Sequence, residues 1–150
     1  MAPLDRLLVE RACERLIVGF VHRLDLGEPA SVAELFTEDG VWEWPSPGDG
    51  RRIRGREALR AYFGSRPADR LSRRLMSNVL VTVTGPDTAG AVSYFTTYRV
   101  DGYEGGAPIP AGPPVQIGHY ADTFRRVDGT WLITSRTLHL PFGGDTPKAG

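Results

Sequence analysis

The chain has 150 residues, 41% of them hydrophobic and 24% charged, and its 18 basic residues balance its 18 acidic ones. This composition predicts one folded globular domain and excludes a wholly disordered chain. The zero net charge gives no electrostatic case for binding nucleic acid, and no apolar run is long enough to span a membrane. Charges recur through the N-terminus where a signal peptide would be apolar, and Cys13 is the single cysteine, so we expect a cytoplasmic protein.

The first half of the chain predicts three helices and two short strands. Apolar residues recur with a period near 3.6 over residues 5–26, which indicates a long amphipathic helix. A short helix is predicted at about 30–37 and a third helix at 56–63. Between them, the alternating segment 41–44 and the segment 51–55 predict strands on either side of a Pro/Gly-rich turn.

From residue 70 the period changes to two, which is typical of β-strands. Helices followed by antiparallel strands predict an α+β domain, with the helices packed on one face of a bent sheet. The Gly/Pro-rich segment 103–115 predicts a semi-rigid flap beside a cavity mouth, and residues 141–150 predict a frayed tail. The four long strands are expected within residues 70–85, 91–103, 116–127 and 131–140.

The order of these elements resembles a known family. The segments LFTEDGVW, GREALRAYF and GHYADTFRRVDGTW follow one another over about residues 8–140 as in the SnoaL-like branch of the NTF2-like superfamily. The resemblance implies one cone-shaped α+β domain, in which a curved antiparallel sheet wraps around the first helix and leaves a deep apolar pocket. It also implies a homodimer through the outer face of the sheet. The superfamily includes scytalone dehydratase, ketosteroid isomerase, polyketide cyclases, a dehydrochlorinase and non-catalytic members, so the fold follows more firmly than the reaction.

Asp25 is the first candidate catalytic residue. It flanks the apolar stripe of the first helix, where partial burial of a carboxylate would favour a general base. In similar family members an Asp at this helix end pairs with a His on the long strand, but that position holds Arg74 here, or Arg73 if the register slips by one. Arginine is no neutral base; Arg74 would keep Asp25 ionised or hold an anionic ligand, and a solvated Arg74 is the alternative. Asn78, four residues on, would donate to a carbonyl from the same face.

Two further residues are candidates for proton transfer. The resemblance implies a cavity residue near Asp101, although the Asp-Gly pair that begins there is also a common turn signal, and this interpretation is favoured. His119 alternates with Tyr120 on one strand. The resemblance favours Tyr120 inside the cavity, which places His119 on the outer face.

Aromatic side chains are the best evidence for a pocket, and such walls suit a small polycyclic, aromatic or terpenoid molecule. No His/Asp/Glu cluster has metal-ligand spacing, and the Gly-rich segment does not open a helix, so we expect no metal and no cofactor. The candidate substrate-binding residues, besides Asn78, are Trp42, Trp44, Tyr62, Phe63, Phe95, Tyr98 and Tyr120.

Two functions remain open from the sequence. The first is a cofactor-free lyase, isomerase or cyclase of secondary metabolism or catabolism, with Asp25 as the base and with Arg74 and Asn78 as donors to an enolate. The second is a non-catalytic ligand-binding or scaffold dimer of the same fold, which the absence of the histidine at the Arg74 position favours.

Overall fold

The computed structural model describes residues 1–149, and a long helix, a 3-10 helix and a second α-helix accompany six strands in that part of the chain. None of these helices is both long and apolar enough to cross a membrane. The elements are α1 (Pro3–Asp25), the 3-10 helix (Pro29–Leu35), β1 (Phe36–Trp44), β2 (Arg51–Arg54), α2 (Arg56–Gly64), β3 (Leu71–Val83), β4 (Thr88–Val100), β5 (Gln116–Val127) and β6 (Thr130–Gly143).

Helix α1 packs against the sheet through the apolar stripe that the sequence predicts. The helix begins two residues earlier than expected, because Pro3 needs no backbone N–H in a first turn. Burial of the stripe removes apolar surface from water, which is the main force that holds the helix on the sheet. Its buried residues are Val9, Cys13, Leu16, Ile17, Phe20, Val21 and Leu24.

The six strands form one curved, open sheet in the order β2-β1-β6-β5-β4-β3. Every neighbouring pair is antiparallel except β1 and β6, which run parallel, so the expectation of a purely antiparallel sheet is wrong. Strand β1 is separated from β6 by most of the chain, and no hairpin forces the two strands to run in opposite directions. The predicted α+β cone is otherwise confirmed.

The C-terminal segment is more ordered than the sequence indicates. Strand β6 continues through Gly143, where Phe142 pairs with Ile117 of β5. Beyond it, Asp101 N–H donates to Pro147 C=O (2.9 Å), and Ala149 N–H donates to Asp101 C=O (2.8 Å). Because backbone hydrogen bonds fix this segment, the prediction of a frayed tail is wrong for residues 141–149, and residue 150 lies outside the described residues.

The Gly/Pro-rich connection between β4 and β5 has no regular structure over residues 103–115. Its residues 109–115 border a groove whose other side is the C-terminal segment, including Phe142 and Pro147. The cavity enclosed by α1 and the sheet is lined by other residues. The segment therefore lies against the tail instead of acting as the expected flap of that cavity.

A charged pair lies at the centre of the core. The carboxylate of Asp122 accepts from Arg136 Nε (2.7 Å) and Nη2 (2.9 Å), and both side chains are 0% exposed. The Arg136 guanidinium lies 4.4 Å from the ring centroid of Phe20 and 4.0 Å from that of Tyr120.

Burial, with a smaller contribution from Asp122, raises the pKa of Cys13 to about 12, so this thiol is neutral and unreactive.

The outer face of the sheet carries an apolar patch on β3, β4, β5 and β6. Its side chains are exposed on the face opposite to the core, and Tyr94 is 50% exposed. The rings of His119 and His139 stack beside the patch, with centroids 4.5 Å apart. The patch residues are Leu75, Leu80, Val92, Tyr94, Ile117 and Phe142.

Candidate active site

Asp25, the last residue of α1, accepts hydrogen bonds from β3. Its Oδ1 accepts from Arg74 Nη1 (2.7 Å) and from the Ser72 hydroxyl (2.6 Å), while Oδ2 accepts from the backbone N–H of Arg74 (2.7 Å). The side chains of Asp25 and Arg74 are only 4% and 9% exposed. The structure therefore brings together the two residues that the sequence proposed as a pair, and it resolves the alternative between Arg73 and Arg74 in favour of Arg74.

Ser72 connects this pair to a second arginine. Its side chain is buried, and its hydroxyl accepts from Arg66 Nη2 while it donates to Asp25. Arg66 follows α2, whose end is capped by Ser65 through a bond to the carbonyl of Tyr62. Two arginines thus converge on one carboxylate from different elements, and Ser72 relays one of the contacts.

A cavity of about 530 Å³ opens beside these residues. Its size falls in the range of sites for small organic ligands. Its lining combines aromatic and aliphatic side chains with five arginines. The lining residues are Phe20, Leu24, Trp42, Trp44, Arg51, Tyr62, Phe63, Ser65, Arg66, Pro67, Arg70, Arg74, Arg99, Gln116, Tyr120 and Leu138.

The arginines of the cavity differ in how their charge is balanced. Arg74 pairs with Asp25, and Arg70 pairs with Asp101 through Nε (2.6 Å) and Nη2 (2.9 Å). Within residues 1–149, Arg66 and Arg99 form no ion pair. Burial lowers the pKa of Arg66 to about 10, and burial likewise lowers that of Arg99 to about 10, with further contributions from the neighbouring Arg74 and Arg70.

Asp101 lies outside the cavity wall. Its hydrogen bonds to Arg70 hold the pKa of the carboxyl below its usual range. The residue ends the pairing of β4 and bridges to the C-terminal segment. This geometry agrees with the turn interpretation of the Asp-Gly pair and places Asp101 as the partner of Arg70.

Most of the predicted aromatic residues line the cavity. Trp42 packs at a tilt against Tyr62, with ring centroids 5.2 Å apart, and both line the cavity together with Trp44, Phe63 and Tyr120. Phe95 is buried behind the wall, where its ring stacks on Tyr120 at 4.6 Å. Phe95 therefore supports the ring of Tyr120, which lines the cavity.

Three of the predicted site residues lie elsewhere. Tyr98 lies four residues after Tyr94 on β4, so the alternation of the strand places both on its outer face and not in the cavity. Asn78 lies on a bulge with φ +50°, which breaks the alternation that placed it on the face of Arg74, and its side chain is exposed. His119 stacks on His139 at the outer face, as its alternation with Tyr120 indicates.

The site residues predicted from the sequence do not include Arg66, Arg99 or the buried Asp122–Arg136 pair. Arg66 comes after a helix end, and no periodicity predicts where its side chain lies. Arg99 lies four residues after Phe95 on β4, so the period of two places both side chains on the same face. The alternation of this strand could therefore have predicted Arg99 as a site residue. Among residues 1–149, no group of three or more His, Cys, Asp and Glu side chains is placed to hold a metal ion.

Comparison with protein families supports the assignment of the fold. The model of the SnoaL-like domain matches residues 5–137, which is most of the chain. The chain belongs to the SnoaL-like domain family. All of the cavity-lining residues except Leu138 lie in the matched region. A comparison with proteins of curated function found no match.

Solved structures similar to this SnoaL-like chain share its fold. An NTF2-like protein with a cystatin-like fold from Novosphingobium aromaticivorans is 26% identical, with TM-score 0.72 over 93% of this chain and 86% of the other. A candidate scytalone dehydratase from the same organism is 23% identical, with TM-score 0.72 over 98% and 96%. A hexachlorocyclohexane dehydrochlorinase is 15% identical, with TM-score 0.72 over 94% and 90%. At the two lower identities, the likeness establishes the fold alone.

Proposed function

We propose that this SnoaL-like chain is a lyase or isomerase that moves a proton at a carbon next to a carbonyl, without a cofactor, on a small cyclic substrate. The observation that carries the proposal is the buried Asp25–Arg74 pair, whose arginine lines an aromatic cavity. Proton transfer of this kind requires a base, a donor to the developing oxyanion and a site that excludes water.

In the proposed reaction Asp25 takes the proton through Oδ2. That oxygen accepts one hydrogen bond, from the backbone of Arg74, whereas Oδ1 already accepts two. A carboxylate oxygen has two acceptor sites, so Oδ2 retains one for a proton. Arg74 Nη1 lies 2.7 Å from Oδ1 of Asp25, and a carboxylate is the form of this side chain that can accept a proton.

Arg74 also stabilises the intermediate. When the C–H bond breaks, its electron pair moves onto the carbonyl oxygen, and the guanidinium of Arg74 donates to this enolate. In a lyase the enolate then expels a leaving group from the neighbouring carbon, and in an isomerase it takes back the proton at a different carbon. Two structural neighbours bear the names of enzymes that eliminate, a dehydratase and a dehydrochlorinase, which supports the first outcome.

Exchange of carbon-bound protons tests the proposal without the natural substrate. We expect the wild-type protein in D₂O to accelerate deuterium incorporation next to the carbonyl of 2-tetralone, followed by proton NMR. Arg74→Met removes the oxyanion donor and should slow this exchange by about 10²–10³-fold. Arg125→Met, on the exposed part of β5, is the matched control and should exchange at the wild-type rate. Equal rates for the Arg74 variant and wild type would contradict the proposal.

A non-catalytic binding protein is the second candidate. It is favoured because Asp25 itself is not among the cavity-lining residues and Arg74 already neutralises its charge. Such a protein would bind cyclic ketones in the cavity while leaving the rate of exchange at that of buffer. Binding of 2-tetralone measured by tryptophan fluorescence, beside the exchange rate, separates the two functions.

We further propose that the chain acts in the cytoplasm as a homodimer, joined through the apolar patch on the outer sheet face. An exposed patch of this kind commonly marks a protein–protein interface. Light scattering should give a particle of twice the 16.4 kDa chain mass. Tyr94→Arg places a charge in the patch and should yield monomers, whereas Val18→Arg, at an exposed position of α1, should leave the dimer intact. A wild-type particle of 16.4 kDa would contradict the proposed dimer.

A further inference from the structure

We propose that Arg66 and Arg99 form a subsite for a carboxylate on the substrate, so that the cavity selects small cyclic or aromatic acids over their neutral counterparts. This inference rests on the proposed function, since it names the substrate class of the same cavity. It assigns the recognition of charge to these two arginines and leaves Arg74 to the reacting carbonyl.

The lining of the cavity carries an excess of positive charge. Five arginines line it, at positions 51, 66, 70, 74 and 99, and no aspartate or glutamate does so. Asp25 and Asp101 neutralise Arg74 and Arg70 from behind the wall. The positive charges of Arg66 and Arg99 are left without a counter-ion in the part of the chain that the structure describes, and Arg51 is exposed.

Burial of unbalanced charge has a cost that a ligand can relieve. Both guanidinium groups are partly removed from water, and this desolvation opposes their protonation, as the lowered pKa values of about 10 indicate. Both arginines line the same cavity, and Arg99 contributes to lowering the pKa of Arg66. A bound anion would balance both charges at once, and the surrounding low dielectric would strengthen the attraction.

Free donors on both side chains are available for a carboxylate. Arg66 uses Nη2 for Ser72, and Arg99 uses Nε for Thr146 (2.9 Å). Over residues 1–149, Nη1 of Arg66 and both terminal nitrogens of Arg99 make no hydrogen bond. A guanidinium presents five N–H donors in a planar fork that matches the two oxygens of a carboxylate.

The polar contacts already present hold the two arginines in place. Ser72 joins Arg66 to Asp25, and Thr146 in the C-terminal segment fixes Arg99. The aromatic side chains of Trp42, Tyr62 and Tyr120 line the same cavity, where they can contact a ring. A ring that bears a carboxylate meets both requirements of this site.

An equilibrium binding experiment tests the inference independently of turnover. Titration calorimetry with 2-naphthoate and with 2-naphthamide compares an acid with a neutral molecule of the same shape. We expect wild type to bind the acid at least tenfold more tightly than the amide. Arg66→Met and Arg99→Met should each weaken binding of the acid about tenfold or more and leave the amide unchanged. Arg125→Met is the exposed control and should change neither affinity.

The outcomes separate this inference from the proposed function. Equal affinity of the wild type for acid and amide, no binding of the acid at millimolar concentration, or a preference that survives in the Arg66→Met/Arg99→Met double variant would each overturn the subsite. A preference that is lost in the variants supports it, even if no exchange of 2-tetralone protons is seen. Exchange without any preference for the acid would leave the proposed function standing and remove the subsite. Thermal transitions of both variants should stay near that of wild type, which shows that the fold is intact.

Discussion

Replacing Asp25 with asparagine should lower the rate of proton exchange by about 10²–10⁴-fold, the usual contribution of a positioned base. The amide has nearly the shape of the carboxylate, but it cannot accept the proton from the substrate carbon. The amide oxygen can still accept from Arg74 or Ser72, so the cavity should keep its shape. Deuterium incorporation into 2-tetralone measures the change, and unchanged fluorescence binding of 2-tetralone shows that the loss belongs to the chemical step.

The same substitution should also destabilise the fold, because it leaves the charge of Arg74 buried without its partner. Removing one partner of a buried ion pair costs about 3–5 kcal/mol. The side chains of Asp25 and Arg74 are 4% and 9% exposed, so this pair is almost fully buried. The double variant Asp25→Asn/Arg74→Met removes both charges. It should recover much of the free energy of unfolding while remaining without activity.

These two measurements distinguish a catalytic Asp25 from a purely structural one. A purely structural Asp25 predicts that the activity of Asp25→Asn returns under conditions that restore its stability. An Asp25→Asn protein that is folded and exchanges protons at the wild-type rate would remove Asp25 from the proposed mechanism. The matched control is Asp87→Asn, whose carboxylate pairs with Arg126 at the surface and should affect neither property.

Much of the fold could be predicted because its signals are local. The stripe of α1 and the alternation of β5 follow from periods of 3.6 and 2, and the Asp-Gly pair at 128–129 marks the last hairpin. The direction of a strand relative to its neighbours in the sheet is not determined by its local sequence. Strand β1 pairs in parallel with β6 near the other end of the chain, and nothing in either segment records that contact.

The site could be predicted only in part for the same reason. Asp25 and Arg74 were matched through their spacing in a family pattern, and the structure brings them together. Asn78 was placed by strict alternation, which a bulge at its own position interrupts. Arg66 reaches the cavity from an irregular turn. In such a segment the direction of a side chain depends on tertiary packing, and no periodicity of the sequence predicts it.

The Asp122–Arg136 pair should be the most sensitive point of the core. Both side chains are 0% exposed, so Arg136→Met leaves a buried carboxylate with neither water nor a counter-ion. We expect this variant to lose about 3–5 kcal/mol of the free energy of unfolding, as breaking one side of a buried pair does. It also removes the contacts of the guanidinium with the rings of Phe20 and Tyr120. Urea unfolding at a fixed protein concentration measures the loss.

The double variant Asp122→Leu/Arg136→Met provides the decisive comparison. Replacing both charges by apolar groups of similar volume is often neutral or stabilising, because the desolvation of two ions is avoided. Nη1 of Arg136 is buried without a hydrogen-bond partner, which adds to that cost in the wild type. The double variant should therefore be more stable than Arg136→Met alone.

Arg126→Gln breaks the exposed pair with Asp87 and should cost under about 1 kcal/mol. If Arg136→Met unfolded at the wild-type urea concentration, the pair would contribute nothing to stability.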